Sequence, residues 1–172
     1  PRPRIQTLPT PPLVHPLVIP SPPHQLSINS RRAANQATTA RLVQCAESAL
    51  LGVIAAQPNS AAVCAEACGG LGQLASVTSL RDLLSHPQPQ LVTAPLHALT
   101  LHAGQHEVAA AVCWALRGLC TARDGRSADR LALLLQGGGR EALMRAQKLH
   151  TRVCPPLRIF CTELLSALER ET

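Results

Sequence analysis

The chain has almost no aromatic side chains. Trp114 and Phe160 are the full set, there is no tyrosine, and aromatics make up 1% of 172 residues. A core of interlocking rings is thereby excluded, and an apolar content of 46% has to come from Ala, Leu, Val and Cys. Small side chains let backbones approach closely, which suits helix stacked on helix better than a sandwich of sheets. Aromatic platforms for stacking single-stranded nucleic acid are missing as well. Lysine is just as scarce, with Lys148 alone among sixteen basic residues. No run of 18 apolar residues escapes a charge or a proline, so no membrane-spanning helix is expected. No secretory leader is visible either.

The net charge is +6, but it is unevenly spread. Residues 1–36 hold Arg2, Arg4, Arg31 and Arg32 and no acid. The remainder is close to neutral, with a basic stretch from Arg117 to Arg158 that acidic residues share. A mixed, solvated face explains that stretch better than a nucleic-acid surface. The seven cysteines are an odd number. Cys64, Cys68 and Cys113 fall on apolar helix positions, where free cysteine behaves as a small hydrophobe. The expectation is an intracellular, reducing compartment, cytoplasm, cytoskeleton or organelle matrix alike, and no disulfide framework.

Proline marks off the first segment. Residues 1–29 contain nine of the fifteen prolines, which fix φ and remove backbone donors. This segment is expected to be an extended, polyproline-like arm. It also carries Ile5, Leu8, Leu13, Val14, Leu17, Val18 and Ile19, more apolar than a plain linker. An extended arm without internal hydrogen bonds needs a surface to lie on. Another subunit is the preferred surface and the chain's own body the alternative, with Leu13, Val14, Leu17, Val18 and Ile19 as candidate contacts.

Residues 30–172 form the second domain and repeat themselves. Ala62–Ala75 matches Glu107–Cys120 at an offset of 45, pairing Val63 with Val108, Cys68 with Cys113, Leu71 with Leu116 and Leu74 with Leu119. A weaker third copy aligns Cys161 with Cys113 and Leu164 with Leu116 at an offset of 48. A period of 40–50 residues in a helical pattern is that of a stacked solenoid, whose units cannot bury their apolar faces alone. The periodicity predicts helices over 38–56, 61–76, 78–85, 91–103, 106–121, 128–136, 140–150 and 156–170. Ser30 is a candidate cap for the first turn, and Leu42, Cys45, Ala49, Leu50, Val53 and Ile54 form the apolar face of 38–56. Ser60 or Asn59 caps the second helix, and Gly137-Gly138-Gly139 supplies a helix–helix turn.

Ala67-Cys68-Gly69-Gly70-Leu71-Gly72-Gln73-Leu74 and Val112-Cys113-Trp114-Ala115-Leu116-Arg117-Gly118-Leu119 resemble the third helix of armadillo repeats. HEAT-type repeats share the Leu and Ala spacing. The resemblance covers residues 38–170 and implies an all-α, right-handed α-solenoid of armadillo/HEAT-like repeats, with third helices lining a concave binding face. In members that bind nuclear import signals, a Trp and an Asn four residues later recur on that helix. Trp114 matches the first position, but Gly118 takes the second, and the other copy has Gly69 and Gln73. The ladder is therefore absent, and import-signal binding is not expected.

Catalytic and metal chemistry find little footing. Cys64 and Cys68 stand one helical turn apart, and His102 and His106 share that spacing, but the pairs sit in different repeats and Gly104 interrupts the second. The triglycine lacks the Lys-Ser or Lys-Thr of a phosphate loop. No enzyme, cofactor, metal or small-molecule substrate is expected. The reading is a non-catalytic scaffold or adaptor subunit of a larger assembly, with Gln73, Trp114 and Arg117 as candidate contacts on its face. Its partners are protein subunits. The alternative is an RNA-associated structural subunit of an organellar ribonucleoprotein particle.

Overall fold

The computed structural model describes residues 23–81, 83–84, 88–122 and 125–171, with side chains from residue 33 onward apart from 78 and 79. The described residues are helical and carry no strand. In chain order the helices are α1 (Pro23–Ala56), α2 (Ala61–Ser76), α3 (Thr78–Arg81), α4 (Gln90–Leu101), α5 (His106–Cys120), α6 (Ser127–Gln136), α7 (Gly139–His150) and α8 (Pro155–Arg170). The chain divides into two compact units, Pro1–Asn35 and Gln36–Thr172. The candidate arm contacts Leu13, Val14, Leu17, Val18 and Ile19 lie outside the described residues.

Most helix limits fall within a residue or two of the pattern, and the departures have physical causes. α1 starts at Pro23, so residues 23–29 are helical and Ser30 is no cap. Proline is tolerated in a first helical turn, and no further proline follows until Pro58. α3 stops at Arg81, and the chain continues in turns that bring Leu84 into the core at 1% exposure. Ser60 caps α2, its hydroxyl accepting from the Val63 amide at 3.4 Å.

The inner face of α1 also differs from expectation. Val43, Glu47, Leu51 and Ile54 are buried, whereas Leu42, Cys45, Ala49 and Val53 are exposed. The helix is apolar on two sides, so periodicity alone selects neither. The same property makes Ala33–Ala56 long and apolar enough to cross a membrane by length and composition, even with Arg41 and Glu47 inside it. The rule of an uninterrupted apolar run passes over this segment because Arg41 and Glu47 interrupt it, while Leu, Val, Ile, Ala and Cys keep its average high.

Within residues 36–172, α5 packs between α2 and α8, α4 lies against α5, and α7 against α8. Leu71, Leu116, Leu119 and Leu164 are fully buried, but Leu74 is only half-buried because α2 lies at the end of the α2–α5–α8 row. The α2–α5 contact depends on missing side chains. A Cβ on Gly118 would stand 2.8 Å from that of Ala75, and one on Gly72 would stand 2.9 Å from the Trp114 indole. At the α6–α7 turn, Gly138 adopts φ +75°, and a Cβ on Gly139 would meet the Leu134 carbonyl oxygen at 2.5 Å.

Two histidines tie successive parts of this stack together. The Nε2–H of His102, just past α4, donates to the Pro58 carbonyl at 2.7 Å. The Nε2–H of His150, the last residue of α7, donates to the Ala103 carbonyl at 2.7 Å. Donors and acceptors are themselves related by offsets of 48 and 45, as the α2, α5 and α8 sequences are. His150 is buried, so its loss leaves a carbonyl without its side-chain donor. His102→Ala and His150→Ala should each lower unfolding free energy by about 1–3 kcal/mol, read from urea midpoints. Equal stability of the variants and the parent would show that the bonds exchange freely with water.

Candidate functional site

The candidate face is the outer side of α2, α5 and α8. Gln73 is exposed on α2, Trp114 and Arg117 are half-buried on α5, and Phe160 and Glu163 line α8. The Trp114 indole lies against buried Gly72 across the α2–α5 seam, next in sequence to exposed Gln73. Arg117 turns the other way. Its Nη1 donates to Glu163 Oε2 at 3.3 Å, and its guanidinium carbon sits 4.9 Å above the Phe160 ring. Trp114 therefore faces the α2–α5 seam and Arg117 is engaged across the α5–α8 seam, while Gln73 stands exposed on α2. Phe160 and Glu163 went unread in the sequence, since only the α5–α8 register brings them to Arg117.

Cys64, Cys68, Cys113, Cys120 and Cys161 are buried in the core of these helices. All seven cysteines are free. The Sγ atoms of Cys113 and Cys161, the pair aligned at offset 48, are 3.6 Å apart and buried. Their shared hydrogen bond, with burial added, holds the Cys113 thiol well above its ordinary value, and the same bond draws Cys161 down. Burial raises Cys64 and pushes Cys68 up to about 12, with the neighbouring Cys64 adding to the second shift. Thiols raised in this way are poor nucleophiles.

The zinc pattern is also resolved into local bonding. Cys64 Sγ donates to the Pro58 carbonyl at 3.6 Å, the acceptor that His102 uses, and His106 pairs with Glu107 at 3.3 Å. Among the described residues, no three His, Cys, Asp or Glu side chains cluster as metal ligands. The triglycine turn lines a cleft of about 210 Å³ with Leu99, Thr100, Glu141 and Arg145. No family model, no curated protein and no solved structure matches this chain. The candidate residues therefore rest on their own chemistry: a half-buried indole, an exposed amide and an ion pair.

Proposed function

We propose that residues 36–172 form a right-handed, armadillo-like solenoid that serves as a non-catalytic scaffold or adaptor, binding protein partners along the α2–α5–α8 face. One observation carries this reading. Three helices aligned at offsets of 45 and 48 pack in sequence order, and Gln73, Trp114 and Arg117 on two of them keep exposed or half-exposed surface. Low relief from half-exposed Gly69, Ala110 and Ala111 suits an extended peptide, with Trp114 as the apolar anchor and Gln73 as a backbone-directed amide.

The test is site-specific photocrosslinking from the full chain. A crosslinker at Gln73 should capture discrete protein partners that survive nuclease, and Trp114→Ala should reduce capture about tenfold or more. A crosslinker at Gln136, exposed at the end of α6, serves as the background. Equal capture at both positions would defeat the proposal. Exposed Arg140, Arg145, Lys148, Arg152 and Arg158 support the RNA-associated alternative. That alternative requires nuclease-sensitive crosslinks and affinity that falls steeply with salt.

A further inference from the structure

The two ends of the helical row carry complementary chemistry. At one end, Leu42, Cys45, Ala49, Gly52, Val53 and Ala56 are exposed and share a helical face of α1. Leu42 is 65% exposed and Val53 43%. Beside them, Leu50, Val53, Ala62, Val63, Glu66 and Ala67 line an open, almost wholly apolar cleft of about 370 Å³ between α1 and α2. Ala62 and Glu66 also line an adjoining cleft of about 400 Å³ whose far wall is Gln105 and Glu107. This end therefore offers an apolar groove that runs into two exposed carboxylates, in a chain whose net charge is +6.

At the other end, the last helices leave Met144, Leu149, Val153 and Ile159 between 47% and 65% exposed. Among them stand Arg145, Lys148, Arg152 and Arg158, none with an acidic partner among the described residues. Stacked helical arrays stay monomeric when their terminal units present a polar outer face. Here both ends expose large aliphatic side chains among their polar ones.

We propose that this chain self-associates head to tail, the α7–α8 end of one copy seating on the α1–α2 end of the next. Aliphatic side chains of the first enter the α1–α2 cleft, and its arginines meet Glu66 and Glu107. The contact joins two different patches, so each added copy leaves a free acceptor and a free donor end. Such a heterologous contact builds open chains unless the rotation happens to close a ring. The reading depends on the chemistry of the ends and leaves the Gln73–Trp114 face uncovered, so either proposal can fail alone.

The experiment is sedimentation equilibrium of the full chain, under reducing conditions, between about 1 μM and about 1 mM. The weight-average mass should climb from the 18.2 kDa monomer past twice that value. Raising salt should lower it, since the charged rim is screened. Glu66→Arg with Glu107→Arg should weaken association about tenfold or more, as should Arg152→Glu with Arg158→Glu. Mixing the two variants should restore association, because each then meets an end of opposite sign. All four positions are exposed, and circular dichroism confirms that the variants remain helical. Val53→Asp tests the apolar half independently. A monomer at every concentration overturns the proposal. So does a dimer that stops at two copies, or association that charge reversal leaves unchanged or mixing fails to restore.

Discussion

Leu116→Ala should cost about 2–5 kcal/mol of unfolding free energy, a large share of the roughly 5–15 kcal/mol that holds a domain folded. Leu116 has no exposed surface and lies on α5, the helix with packed neighbours on both sides. Truncation forfeits its transfer energy and leaves a cavity that α2 and α8 cannot both move to fill. The comparison with Leu74→Ala makes the test specific. Leu74 is equivalent to Leu119 by sequence but only half-buried, so its truncation should cost distinctly less. Denaturant midpoints at fixed m-value give the answer. A Leu74 effect as large as that of Leu116 would mean that position in the row does not control packing.

Helix locations were legible because proline, glycine and capping residues punctuate a strongly periodic chain. α2 occupies the expected 61–76, and the other limits mostly shift by one or two residues. Cys113 and Cys161, paired by offset alone, are in contact. Periodicity failed where a helix has two apolar sides, as in α1, and where Pro23 could open a helix instead of preventing one. Trp114 and Arg117 were singled out on sequence, but their packing against Gly72 and against Phe160 and Glu163 needs the inter-helix register. The histidine bonds were open to discovery through their offset of 48, yet they lie outside the helices whose sequences match best.

The scarcity of tyrosine and lysine gives the stability of this chain an unusual alkaline signature. Between about pH 9 and 12, Tyr and Lys ordinarily titrate alongside Cys. Here there is no tyrosine and a single lysine, so the thiols dominate that window. Burial, reinforced by Cys64, pushes Cys68 from 9.0 up to about 12. The folded state therefore keeps a proton that the unfolded chain gives up near pH 9. Stability from this group is fully present below pH 9 and is lost as pH rises through the folded value. The rise from 9.0 to about 12 is worth roughly 4 kcal/mol across the window. Cys64 and Cys113, also raised, act in the same direction, while Cys161, lowered, opposes them. Urea midpoints of the reduced protein should fall steeply above about pH 9. Cys68→Ala should flatten that fall even if it lowers stability at neutral pH. Parallel curves for the parent and Cys68→Ala would mean that water reaches this thiol and that the α2–α5 core is looser than its geometry indicates.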